Sequence, residues 1–282
     1  VNQLVHAVAG FVLAPALMSA QNLSGADAAA LIEKSRQRSL AYAHSLPDFV
    51  CTEVISRYKL GLTARAVPSG GGRGTIADPV PESESEWFPL DKLTVNLSYF
   101  QQHEAHELKL LNGQPTGQTF GSLDTGVTST GEFGGILRSI FDPGSQTSFR
   151  WESWKNVRRR PVGVYVYHVE EIHSSYYVKA GTPGNLHRAV VGFHGTLEID
   201  RETGEVVRLE HVADHIPPEL EMSRAATEVD YDIIEVAGNR YLLPVHSQTR
   251  LDRKSGAWKN DSEFRDYRKF DVGSKVDFGV DK

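Results

Sequence analysis

Along most of the chain, apolar and polar residues alternate with a period of two. From Leu93 onward the pattern is a series of short alternating runs cut by glycine and proline. LTVNLSYF covers 93–100, and HELKLLNG ends at Asn112-Gly113. Further runs fall at 147–155, 162–173, 188–199, 205–214, 225–236, 240–250 and 262–271. Successive side chains of a strand point to opposite faces, so this period predicts strands. Asn-Gly marks a tight hairpin turn. Upstream, FVCTEVISRYKL (49–60) is rich in β-branched and aromatic residues and predicts another strand.

Two segments break the rhythm. Ser24, with Asp27 three residues on, resembles a capping-box start. Ala26, Ala29, Ala30, Leu31, Ile32, Leu40 and Ala43 then give helix propensity and a loose apolar stripe, which Pro47 stops. A helix is predicted at about 25–45. Later, Phe133, Ile136, Leu137, Ile140 and Phe141 recur at helical spacing and Pro143 ends the run, predicting a helix at about 130–141. Between 61 and 86, glycine, proline, serine and glutamate dominate, which predicts a flexible loop. No repeat of fixed period occurs. The expected class is α+β: one large, mostly antiparallel sheet with two covering helices.

The stretch GFHGTLEIDRETGEVVRLEHVADHIPP (192–218) tests this reading, because it also offers histidines and carboxylates. Alternation puts Phe193, Gly195, Leu197 and Ile199 on one face and His194, Thr196, Glu198 and Asp200 on the other. Gly204 sits where a turn wants a left-handed residue, and Asp200 can cap that turn with its carboxylate. A hairpin follows. His211 and His215, four apart, would stand ~13 Å apart on a strand, too far for one metal ion.

Composition narrows the function. The 282 residues carry a net charge of -6, with a pI of about 6.0, which argues against a phosphate-binding surface for nucleic acid. Arg158-Arg159-Arg160 reads as a solvated turn before an apolar strand. The one cysteine, Cys51, excludes an intramolecular disulfide and falls inside a strand pattern, as a small buried apolar side chain. Val8 to Met18 is apolar but too short to span a bilayer, and small residues follow at Ser19 and Ala20. This predicts a secretory signal peptide over 1–20, with a periplasmic or secreted destination. An N-terminal helical segment (21–48) and a single β-rich domain (49–282) would follow. No stretch is long enough for a transmembrane helix.

Catalytic signatures are sparse. HEAHE (103–107) invites comparison with the zinc motif H-E-x-x-H, but its histidines are three apart and the segment reads as a strand, which turns His103 and His106 to opposite faces. No G-x-S-x-G occurs, and one cysteine cannot form C-x-x-C. The acidic pairs Glu170-Glu171 and Asp230/Asp232 fit strand-face charges. The expectation is a binding protein with no cofactor and no metal. A metal-assisted hydrolase using His103 and His106, and a structural envelope module without a ligand, remain the alternatives.

The run GEFGGILRSIFDP…FRWESW…YVYHVE…GFHGTLEIDRETGEVVRLE…VDY…YLLPVHS resembles exported bacterial proteins whose sheet is similar to that of the LolA/LolB lipoprotein-carrier superfamily. The resemblance lies in the order of helix, strands, covering helix and strands, and in the strand, D-x-x-T-G turn, strand unit. It implies an open, curved half-barrel that holds an acyl chain or another apolar ligand, with lipid, acylated protein or an envelope protein as partner. Val162, Val164 and Val166 against Tyr165, Tyr167 and Val169 make one strand apolar on both faces, which suits a filled or ligand-holding concavity. The candidate cavity residues are Phe133, Ile136, Leu137, Phe141, Trp151, Trp154, Tyr165 and Tyr167. A polar substitution at Trp151 or Phe133 is expected to weaken binding of a fatty-acid probe.

Overall fold

The computed structural model describes residues 25–63, 84–101, 103–119, 123, 131–182 and 185–269. The expected signal peptide lies outside them, as does most of the 61–86 segment. Among the described residues, helix α1 (Gly25–Ser45) precedes β1 (Phe49–Thr63), β2 (Glu84–Phe100), β3 (His103–Leu111) and β4 (Gln114–Pro115). Helix α2 (Gly135–Phe141) follows, then β5 (Ser148–Val157), β6 (Arg160–Val169), β7 (Tyr177–Thr182) and β8 (Asn185–Val190). The chain continues through β9 (Phe193–Asp200), β10 (Val206–Ala213), β11 (Met222–Val236), β12 (Asn239–Arg253) and β13 (Gly256–Lys269).

Eleven strands form one antiparallel sheet in the order β4-β3-β2-β1-β13-β12-β11-β10-β9-β6-β5, and β7 pairs with β8 in a separate ribbon. This large antiparallel sheet with two helices is the α+β class that the alternation predicts. Its edges, β4 and β5, do not pair with each other, so the sheet is open.

Local chemistry explains the turns. Asn112 and Gly113 both have positive φ (52° and 78°), as the β3–β4 turn requires. The basic run is the β5–β6 turn, with Arg158 and Arg159 at φ 47° and 68°. Between β9 and β10, Asp200 Oδ1 accepts hydrogen bonds from the N–H groups of Glu202 (2.8 Å) and Thr203 (2.9 Å), and Gly204 takes φ 79°. The hairpin reading of this stretch is correct.

Several boundaries differ from expectation. Residues 61–63 and 84–86 are strand, because Gly61–Thr63 pair with Glu84–Glu86 and extend the β1–β2 hairpin. The single strand expected at 188–199 is two strands in different sheets. The break falls at Val191-Gly192, where Val191 N–H donates to Tyr176 O (3.0 Å) and Gly192 O accepts from Asp214 N (2.8 Å). A Cβ on Gly192 would stand 3.0 Å from the carbonyl oxygen of Val169, so only glycine passes there without displacing its neighbours. Residues 171–173 form a 3-10 turn after β6. Helix α2 begins at Gly135, since Gly131 and Gly134 (φ 107° and 102°) hold the chain in conformations a helix cannot use.

The helices cover one face of the sheet. Leu31 of α1 and Ile136, Leu137, Ile140 and Phe141 of α2 pack against Tyr165 and Tyr167 of β6, Leu197 of β9, Leu209 of β10 and Tyr231 of β11. Each such side chain contributes about 1.5–3 kcal/mol of burial. Arg36 Nη1 of α1 donates to the carbonyl oxygen of Phe141 (2.8 Å), tying the helices together. A second cluster gathers Phe49, Cys51, Tyr99, Phe133 and Phe264, with Phe49 and Phe133 ring centroids 5.2 Å apart. Cys51 is fully buried, and burial pushes its thiol well up, as an inert side chain requires.

Candidate functional site: a cationic groove beside α2

Along one face of β11 the side chains shrink in the order Tyr231, Val229, Thr227, Ala225. The two large residues fill the core beneath the helices. The two small ones lie beyond α2, and a groove of about 590 Å³ opens there, bounded on its far side by the β7 ribbon. That volume falls within the range of small-ligand sites. Ile136, Tyr176, Val178, Met222, Ala225 and Leu251 give it apolar walls. Arg138, Lys179 and Arg253 add three positive charges, and no described lining residue is a carboxylate. The Nε of Arg253 is buried without a hydrogen-bond partner among the described residues.

Helix α2 is held rigidly as one wall. Ser139 O accepts from Ser145 Oγ (2.6 Å) and Phe141 O from Arg36, so carbonyls of its last turn are satisfied. On the opposite side, Tyr176 O accepts from Val191 N–H, in the connection between β8 and β9.

At the base stands His211 of β10, 2% exposed. Its ring lies 4.5 Å from those of Tyr176 and Phe193. Its Nδ1 is 3.1 Å from Tyr167 Oη, and that hydroxyl donates to the carbonyl oxygen of Glu210 at 2.9 Å. Burial, with His194 adding to it, lowers the His211 pKa to about 3, so the ring is neutral.

Of the eight expected cavity residues, Ile136 lines this groove. Leu137 lines a smaller cavity of about 170 Å³ beside Tyr42 and Leu242. Phe141, Tyr165 and Tyr167 belong to the main core, and Trp151 and Trp154 pack against its edge. Tyr165 spends its hydroxyl on the carbonyl oxygen of Ala28 (3.0 Å). Phe133 lies apart, in the second cluster. The structure therefore gathers seven of them around one core, of which Ile136 also lines the groove, and leaves Phe133 apart. Missed were the β7 wall, the small residues of β11 and the three cations. The step down in size along β11 was the one available signal.

The other histidines are placed differently. His103 is exposed on β3, with Nδ1 2.8 Å from Gln101 O. His106 turns inward, its Nε2 3.7 Å from Glu53 Oε2. Strand β10 ends at Ala213, so His215 shares no strand face with His211 and instead takes φ 47° in the following turn. Among the described residues no three His, Cys, Asp or Glu side chains are placed to hold a metal ion. On the outer face, Asp230 meets Arg208 (3.2 Å) and His246 (3.6 Å), and Asp232 meets Arg158 (2.9 Å). The acidic residues of that stretch are strand-face ion pairs, as expected.

Fold and groove together define an α+β protein with an open antiparallel sheet and a ligand-sized site on its helix-covered face. Among solved structures, it is similar to a DUF1329 family protein from Desulfovibrio piger, at 10% identity over 88% of this chain and 94% of that one, with a TM-score of 0.36. It is likewise similar to an outer membrane lipoprotein-sorting protein domain from Vibrio parahaemolyticus, at 9% identity over 86% and 93% of the two chains, with a TM-score of 0.35. No family model matches the chain, and no curated protein sequence does. No helix among the described residues is long and apolar enough to cross a membrane.

Proposed function

We propose that the protein is an exported binding protein rather than an enzyme, and that it holds an acyl chain or another apolar ligand with an acidic head in the groove beside α2. The observation that carries this reading is the pairing of apolar walls with three cations and no described carboxylate. Apolar burial at ~25 cal/mol per Å² supplies affinity with broad chain tolerance. Arg138, Lys179 and Arg253 supply a preference for a negative head. Lipid or acylated protein is the matching partner class.

The test is titration with a fluorescent fatty acid. Ala225→Trp fills the groove at its narrowest side chain and should weaken binding at least about ten-fold, with the far-UV spectrum unchanged. Unchanged affinity in the folded variant removes the groove from the reading. Trp151 and Phe133 are poorer probes, since a polar side chain at either position disturbs packing rather than a groove wall.

A further inference from the structure

His211 lines the groove, and one of its ring nitrogens is unsatisfied among the described residues. Its Nε2 is buried and has no hydrogen-bond partner among the described residues. Most buried polar atoms are paired, so such an atom calls for an explanation. The bonds around it fix its character. A backbone carbonyl can only accept, so the single Tyr167 hydroxyl proton is committed to Glu210 O. The Tyr167 oxygen must then accept from His211, which places the ring proton on Nδ1. In a neutral ring this leaves Nε2 as a bare lone pair. Nδ1 is turned to Tyr167 in the core, and the ring centroid stands 4.5 Å from that of Tyr176, with both residues lining the groove.

Gly195 shows that this arrangement is built in. A Cβ there would stand 1.8 Å from Glu210 O and 3.0 Å from Tyr167 Oη. Only glycine lets that carbonyl and hydroxyl meet, and their bond is what sets the histidine tautomer.

Resting on the groove as the binding site, we propose that its ligand is an acyl compound bearing a hydrogen-bond donor, an O–H or an amide N–H, which His211 Nε2 accepts. A plain fatty acid offers the groove only a chain and a carboxylate. A hydroxy fatty acid or an N-acyl amino acid offers the donor as well. His211 is thus a specificity-determining residue, and Tyr167 and Gly195 position it.

The experiment compares hexadecanoate, 2- and 3-hydroxyhexadecanoate and N-palmitoylglycine by displacement of the fluorescent probe. On the wild-type protein at least one donor-bearing ligand should bind about 3- to 10-fold tighter than hexadecanoate, the worth of one net hydrogen bond. The hydroxy acids and the acylglycine separate the two sources of donor. In His211→Phe the ratio of donor-bearing ligand to hexadecanoate affinity should fall to about one, whatever change in affinity all four ligands share. The 15N resonance of His211 Nε2 gives a readout without mutation. It should shift with the preferred ligand more than with hexadecanoate. Equal affinity of all four ligands on the wild type overturns the inference and leaves the groove reading standing, as does an advantage that survives in folded His211→Phe. Binding of none of them, probe included, overturns both.

Discussion

Gly195 illustrates how much can hang on an absent side chain. Alanine there drives a methyl group into a backbone carbonyl at 1.8 Å, and a backbone atom cannot swing aside as a side-chain tip does. Gly195→Ala should lose about 3 kcal/mol of stability, the upper end for overpacking, measured by urea denaturation. A variant as stable as the wild type would mean that β9 and β10 do not approach as described. The alternating pattern already placed Gly195 on the inner face with Phe193, Leu197 and Ile199. It could not show the approach, because periodicity reports which face a residue takes and not what stands opposite. The Asp200 cap was legible for the contrary reason: its partners, Glu202 and Thr203, are its neighbours in sequence. His211 looked like half of a metal pair. Its actual partner, Tyr167, belongs to β6, a strand away across β9.

At the level of elements, α1 was readable to its boundaries, because a long helix carries its own start signal and a proline after its end. What the pattern concealed was its destination. It precedes β1 in sequence but packs on α2 and, through Leu31, joins the core formed with β6, β9 and β10. Leu31→Ala should cost about 2–5 kcal/mol, seen as a lowered melting temperature. A loss below about 1 kcal/mol would mean that α1 rests on the sheet without being part of its core. Strand β7 went unread. It is a six-residue ribbon strand, and among the described side chains of YVKAGT only Val178 is buried. A strand without a buried face leaves little alternation to find. The groove is hard to read from the sequence for the same reason: one wall comes from an element with little pattern, and its floor is made of small residues, which mark a cavity less plainly than aromatic ones do.

For the molecule as a whole, buried ionisable groups set the response to pH. Burial, reinforced by nearby Glu132, raises Glu53 and Glu104 to about 8. Burial lowers His106 to about 4 and His211 to about 3. At neutral pH Glu53 is therefore largely protonated and His106 unprotonated, and their 3.7 Å contact joins two neutral groups rather than an ion pair. The raised acids hold protons that the unfolded chain has released, so their contribution is whole below about pH 4.5 and drains as pH climbs toward about 8. The histidines act in the other sense: their contribution is whole above about pH 6.5 and drains as pH falls toward 4 and 3. Between these limits the two slopes oppose each other. From about pH 6.5 to 8.5 the acids set the slope, so the melting temperature should fall across that range, and Glu104→Gln should flatten it. A melting temperature that rises from pH 6.5 to about 8.5 would show that these carboxyls are charged in the fold.

The seam between β1 and β13 bears on how the chain is made. Phe49 pairs with Lys269 and Lys59 with Trp258, so the first strand finds one of its two neighbours only in the last. While the polypeptide is still being synthesised, β1 has β2 on one side and an unpaired ladder on the other. An open ladder of that kind is a template for pairing with a foreign strand. A nascent chain that ends before Gly256 carries two such edges, on β1 and on β12, both of which β13 covers in the finished sheet. Synthesis therefore passes through a long interval in which the centre of the future sheet is its most exposed part, and a holding factor would have to cover that place until the last strand arrives.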